Sequence, residues 1–184
     1  MYIATCTRPD IAHAVGEVAK FCERYDKSHW TVAKRILKYL KTTRDFSIVF
    51  SGINNGELIG FADANWAGDL DTRRSTTGYV FFLNGSVVWW NLKHQPTVAT
   101  SSTEAQYMSL YSATQEAIWL RGLLKDLNYC AKNATTIFLK TIKVASAVIA
   151  LEFKPTEQMV ADGFTKALPR DKHSKFITGM CMAV

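Results

Sequence analysis

Two carboxylates stand where chemistry explains them more readily than packing does. Asp63 closes the apolar run LIGFAD, and an acid at the end of a strand adds little to a hydrophobic core. Glu104 lies in TSSTEAQY, the serine-rich start of a long helical pattern. An acid presented from a strand end and another from a first helical turn can supply half of a metal site. Glu104 has a second explanation. Ser101 precedes it by three residues, the spacing of a capping box, so its carboxylate can serve its own helix. Between the two acids lie Asp69 and Asp71 in a solvated polar turn. Arg73 and Arg74 follow, and they can grip phosphate or simply face water. Trp89 and Trp90 can stack on bases or pack a sheet face. His94 and His173 read as surface residues.

The elements that must position these residues follow from pattern. LIGFAD reads as a strand, and TGYVFFLNGSVVWWN as two strands joined by Asn84-Gly85, a pair suited to a tight turn with positive φ. TSSTEAQYMSLYSATQEAIWLRGLLKDL is the longest helical pattern, with Leu110, Ala113, Ala117, Leu120 and Leu124 as its core face. TTIFL adds a short strand. Three strands, a long helix and a further strand predict an α/β fold with a mixed sheet flanked by helices. Upstream, Pro9 and Asp10 suit the first turn of a helix whose buried face is Ile11, Val15, Val18 and Phe21. A second helix is expected after Ser28 as N-cap, with Ala33, Ile36, Leu37 and Leu40 as its apolar stripe. Lys34, Arg35, Lys38 and Lys41 spread over its other side. From Lys27 to Arg44 there are six basic residues and no acidic one. That surface is either a solvated face or a track for phosphates. SGINNGE at 51–57 reads as a linker, dividing a helical segment, 1–57, from a sheet domain, 58–184.

Composition bounds the rest. Hydrophobic content of 48% and charged content of 21% describe an ordinary globular chain, and a net charge of +6 favours a polyanionic partner. The four cysteines, Cys6, Cys22, Cys130 and Cys181, are scattered, which argues against a zinc site or a disulfide framework. The longest aliphatic run, VASAVIAL, is too short to cross a bilayer, so no membrane partner is expected. The N-terminus lacks a signal-peptide pattern. The expected compartment is intracellular, cytoplasmic or nuclear.

The segments GFADANWAGDLDTRRSTTGYVFFLNGSVVWW and QPTVATSSTEAQYMSL together resemble the RNase H domain of copia-type retrotransposon Pol polyproteins. TRPDIAHAVGEVAKF and HWTVAKRILKYLK are similar to the end of the adjoining reverse transcriptase. EFKPTEQMVADGFTKALPRDKHSKF resembles the C-terminal segment of the same RNase H domain. The resemblance implies an RNase H-like fold, an RNA–DNA hybrid as substrate, two Mg²⁺ ions as cofactors and an upstream reverse transcriptase as polyprotein partner. It assigns Asp63 to the first-strand metal ligand, Glu104 to the helix ligand and Asp162 to the last acid. The polymerase's YxDD-type motif is absent, so no polymerase activity is implied.

The resemblance breaks at one place. Relatives follow the strand resembling TTIFL with an aspartate, whereas Lys140 stands near that position here. No acid occurs between Asp126 and Glu152. A lysine ammonium cannot ligate Mg²⁺. Only eleven residues, Lys140 to Ala150, separate Leu139 from Leu151, short for a parallel crossover, so an internal deletion near 139–151 and an incomplete second half of the sheet are expected. Asn65 and Gln106 stand where relatives often carry Asp and Glu. Three functions compete: a hybrid-cleaving ribonuclease with impaired or absent activity, a non-catalytic nucleic-acid-binding remnant, and a transposon fragment without a role.

Overall fold

The computed structural model describes residues 1–50, 56–129, 133–139 and 149–183. The elements in chain order are α1 (Tyr2–Cys6), a 3-10 turn (Pro9–Ile11), α2 (Ala12–Ala19), α3 (Lys27–Thr42), β1 (Ser47–Ile48), β2 (Leu58–Asn65), β3 (Thr76–Leu83), β4 (Ser86–His94), α4 (Ser102–Asp126), β5 (Thr135–Leu139), β6 (Ile149–Phe153), a 3-10 turn (Thr156–Gln158), α5 (Asp162–Thr165), α6 (Arg170–Gly179) and β7 (Met182–Ala183).

Five strands form the main sheet in the order β4-β3-β2-β5-β6. The first three are an antiparallel meander, while β5 pairs with β2, and β6 with β5, in parallel. This is the mixed sheet that the strand and helix pattern predicts. The expected hairpin is present: Asn84 and Gly85 take φ of 53° and 78°, the left-handed pair that a two-residue turn requires. Alternation along the strands separates two cores. Phe61, Val80, Phe82, Val87 and Trp90 face the C-terminal elements, meeting Met159, Phe164, Phe176 and Met180. Leu58, Ala62, Tyr79, Phe81 and Ile137 face α4 through Ala113, Ala117 and Leu120. Of the expected α4 stripe, these three are buried, and Leu110 and Leu124 lie at its margin. Trp90 packs in the first core and donates its Nε1–H to Ala4 O, whereas Trp89 projects from the opposite face and stays exposed.

The far half of the sheet carries both of its strands. β5 and β6 pair over five residues, from Thr135↔Ile149 to Leu139↔Phe153. Lys140 and the rest of 140–148, where a deletion is expected, lie outside the described residues, as do 51–55 of the expected linker.

The N-terminal segment packs on the sheet's C-terminal side. β1 pairs antiparallel with β7, and His13 of α2 bonds to Phe164 O through Nδ1 at 3.1 Å. Arg8 forms a two-point contact with Asp10 at 2.9 and 2.7 Å and donates to Thr43 O and Thr43 Oγ1. Tyr39 donates to the same Asp10 carboxylate at 2.7 Å, and His173 of α6 meets Asp10 O at 3.3 Å. His173 is therefore half-buried in a latch rather than a free surface residue. Helix α3 departs from expectation at both its cap and its stripe. Asp26 is its N-cap, accepting from the Ser28 and His29 amides. The Ser28 hydroxyl and those amides hold the Asp26 carboxyl down at about 2. No α3 residue is buried and Leu37 is 62% exposed, because the helix touches the domain along one edge only. Among the described residues no helix is long and apolar enough to cross a membrane.

Candidate nucleic-acid and metal site

Strand β2 delivers Asp63 to the end of the sheet with its side chain fully buried. Burial of an acid demands donors, and the neighbouring elements supply them. Directly across β3 stands Gly78. A Cβ there would come within 2.8 Å of Phe164 Cβ and Thr165 Cγ2, so the glycine is what lets α5 settle against the strand end. The close approach brings Thr165 Oγ1 to donate to Asp63 Oδ2 at 2.5 Å. From the other side, Gln106 of α4 donates Nε2 to Asp63 Oδ1 at 3.1 Å and to Ala64 O at 3.2 Å. Ser109, one turn further, donates to Asp63 O at 2.7 Å.

Asp162 opens α5, and Lys166 lies one helical step beyond it. The Lys166 ammonium sits 3.8 Å from Asp63 Oδ2 and 3.6 Å from Asp162 Oδ1, with its side chain 41% exposed. The structure thus brings Asp63 and Asp162 together through a shared cation belonging to the chain itself.

Glu104 takes the other path that its spacing allowed. Its Oε2 accepts from Thr100 N and Thr100 Oγ1, each at 2.6 Å, while Ser101 Oγ caps the Glu104 amide at 3.1 Å. The Thr100 hydroxyl, then its amide, holds the Glu104 carboxyl below the usual range. The residue of α4 that reaches Asp63 is instead Gln106. Its amide orientation is dictated by chemistry: Asp63 Oδ1 and Ala64 O are both acceptors, so the NH₂ must face them. That leaves Gln106 Oε1 buried and without a partner among the described residues.

These residues fit a divalent metal poorly. An amide, a hydroxyl and an ammonium already address Asp63, and an amide NH₂ and an ammonium both oppose a metal ion. Among the described residues no group of three or more His, Cys, Asp or Glu side chains is placed to hold one. Lys140 lies outside the described residues.

The expected phosphate contacts fall in two places. Arg73 and Arg74 are exposed on the turn joining β2 to β3, at the Asp63 end of the sheet. Asp69 organises that turn by accepting from the Asp71 and Thr72 amides, with Lys20 3.8 Å away, so it is a structural residue rather than a solvated one. His94 bonds to Thr76 at its edge, and burial, then Lys20, lowers its pKa below 6.5. On α3, Lys34, Arg35, Lys38 and Lys41 are exposed and form no ion pair with a described carboxylate.

No protein-family model matches the chain. Among curated proteins, "Secreted RxLR effector protein 161" of Plasmopara viticola is 49% identical over 120 residues, covering 65% of this chain and 84% of that protein. The Pol polyprotein from transposon TNT 1-94 of Nicotiana tabacum is 46% identical over 133 residues, covering 72% of this chain and 10% of the polyprotein. The Pol polyprotein from transposon RE1 of Arabidopsis thaliana is 32% identical and covers 92% of this chain and 13% of its own length. The chain therefore spans about a tenth of the transposon polyproteins it matches. The solved structure of LC11-RNase H1 in complex with RNA/DNA hybrid is 14% identical with a TM-score of 0.42, covering 59% of this chain and 93% of that one.

Proposed function

Because the chain belongs to the Pol polyproteins of copia-type retrotransposons, as a fragment with an RNase H-like domain, we propose that this domain binds RNA–DNA hybrid and hydrolyses it poorly or not at all. The observation that carries this reading is Gln106. Its amide donates to Asp63 where a second carboxylate would be repelled unless a cation lay between them. The domain keeps the strand acid and the C-terminal acid but satisfies the first with its own hydroxyl, amide and ammonium groups. Resident Mg²⁺ is therefore no part of this reading.

Binding is assigned to the basic surfaces. Lys34, Arg35, Lys38 and Lys41 present charge along α3, and Arg73 and Arg74 present it beside the Asp63 end of the sheet. Contacts of this kind neutralise phosphates without reading sequence. An intact polyprotein would place the reverse transcriptase upstream on the same template.

A second reading is a surviving ribonuclease with Asp63, Glu104 and Asp162 as its acids. It is favoured by the convergence of Asp63 and Asp162 and by the length of the Lys166 ion pairs, 3.8 and 3.6 Å, to the two. One experiment separates the two. Labelled hybrid is titrated with protein across a salt series, then incubated with Mg²⁺. Binding that weakens steeply with salt, with no cleavage, is the expected result. Replacing Lys34, Lys38 and Lys41 with Gln should lower the slope of log K against log salt by roughly one for each phosphate no longer neutralised. Mg²⁺-dependent cleavage that disappears in Asp63→Asn would establish the ribonuclease instead.

A further inference from the structure

On the face of the sheet opposite Trp90, a cleft of about 390 Å³ opens between β4 and α4, lined by Trp89, Gln115, Glu116 and Trp119. Two tryptophans there are unusually bare: Trp89 is 38% exposed and Trp119 is 52% exposed. Their ring centroids lie 5.7 Å apart with the planes tilted by 45°. The rings therefore form a corner, and a flat group would lie against it rather than slip between them.

Glu116 and Gln115 supply the cleft with acceptors. Glu116 Oε1 accepts from Tyr79 Oη at 3.1 Å, and Tyr79 is held in turn by Asn91 Nδ2 at 3.0 Å. Burial, then the negative charge of Glu116, pushes the Tyr79 phenol well above its usual range, so it stays a donor. Gln115 donates its amide nitrogen to Tyr111 Oη at 2.8 Å, which leaves its carbonyl oxygen as a second acceptor. Glu116 forms no ion pair with any described lysine or arginine. Among the described residues this half-buried carboxylate thus has no cation beside it, in a chain that carries a net charge of +6.

We propose that this cleft is a binding site for a guanidinium group, and that its natural occupant is an arginine side chain of a protein partner. A guanidinium is planar and weakly hydrated, stacks on aromatic faces and presents a fork of donors to a carboxylate. The Trp89–Trp119 corner supplies the stacking faces, Glu116 the countercharge and Gln115 an additional acceptor. An unpaired nucleotide fits less well, because Glu116 would repel its phosphate while the indoles stacked on its base. The site is independent of the hybrid-binding reading, since none of its residues belongs to the Asp63 cluster or to the basic faces.

The test follows the indole N–H resonances of Trp89 and Trp119 in ¹⁵N-labelled full-length protein. The probe is the blocked peptide acetyl-Gly-Arg-Gly-amide, compared with its citrulline counterpart, which keeps the shape and loses the charge. The arginine peptide should shift both resonances saturably. Affinity should fall about fivefold or more for the citrulline peptide, for Trp119→Ala and for Glu116→Gln. Glu116→Gln keeps an acceptor for Tyr79, and its unchanged thermal melt would separate loss of binding from loss of fold. Equal binding of the citrulline peptide, indifference to Glu116→Gln, or tighter binding of adenosine monophosphate than of the arginine peptide would each overturn the proposal.

Discussion

Two buried carboxylates of this molecule, Asp10 and Asp63, are each paired with a cation, and they are paired in opposite styles. At Asp10 the cation is a buried guanidinium gripping the carboxylate at 2.7 and 2.9 Å, with Tyr39 adding a third donor. At Asp63 the direct donors among the described residues are neutral, from Gln106 and Thr165, and the ammonium of Lys166 stands off at 3.8 Å on a side chain 41% exposed. The first is a closed latch that fixes the N-terminal segment to the domain. The second keeps its Lys166 cation at a longer distance and partly in contact with solvent. Rigid charge pairing here closes a packed contact between segments, whereas the longer Lys166 pairing lies within the candidate site.

The largest effect should come from breaking the latch. Asp10→Ala strands the Arg8 guanidinium, 6% exposed, among Thr43, Tyr39 and Phe46. Removing one partner of a buried pair costs about 3–5 kcal/mol. Urea unfolding should show that loss. A change below about 1 kcal/mol would mean that the latch is no tighter than an exposed pair.

Gln106→Glu tests the Asp63 side of the contrast. It sets a second carboxylate against Asp63 Oδ1 and Ala64 O and removes the two bonds that the amide makes there. Destabilisation of about 1–3 kcal/mol is expected in metal-free buffer. Millimolar Mg²⁺ or Mn²⁺ should recover part of it, whereas the unsubstituted protein should show little metal-dependent change in its melting temperature. If both proteins respond alike to the metal, the amide at 106 is not what disfavours a divalent ion.

How far these features can be read from sequence depends on which physical signal encodes them. The antiparallel half of the sheet is legible because Asn84-Gly85 demands positive φ and the flanking residues alternate. Asp63 is legible because an acid ending an apolar strand has no place in a core. Gln106 is the harder case. The resemblance marks it as a departure from the pattern, but the stronger local signal in that helix is the capping spacing of Glu104. Yet Gln106 and Ser109 extend backward the stripe that buries Ala113, Ala117 and Leu120, so helical periodicity already points them at the sheet. Thr165 and Lys166 follow Asp162 at three and four residues, the offsets that share a helical face, and composition alone gives no reason to single them out. The Arg8–Asp10–Tyr39 latch cannot be read at all, because Asp10 and Tyr39, 29 positions apart, meet only through tertiary packing.

His13 links the two regions, since its Nδ1 meets Phe164 O, the carbonyl next to Thr165. Burial, the largest cause, lowers its pKa from the ordinary 6.5. The folded protein therefore prefers the neutral ring, whereas the unfolded chain takes up a proton near 6.5. Stability is fully present above that value and is lost as pH falls through the lower folded pKa. His94 acts in the same direction. Urea midpoints measured near pH 8 and near pH 5 should fall on acidification, and His13→Gln should flatten the dependence in part. A midpoint that rises on acidification would contradict a buried neutral His13.

Lys166→Gln should have the smallest effect on stability. The ammonium is partly exposed and lies 3.6–3.8 Å from its carboxylates, so solvent screens most of the attraction, and a change within about 1 kcal/mol is expected. Its consequence should appear in ligand response instead. With the ammonium gone, Asp63 and Asp162 lose their shared cation, and Mn²⁺ should raise the melting temperature more in Lys166→Gln than in the unsubstituted protein. Combined with Gln106→Glu, the metal response should exceed the sum of the two single variants, because one substitution removes a competing charge and the other adds a ligand at the same carboxylate. Simple additivity would mean that Lys166 and Gln106 act on Asp63 independently. A large loss of stability in Lys166→Gln alone would erase the contrast with Asp10, showing that the outlying ammonium holds the fold as firmly as the buried guanidinium does.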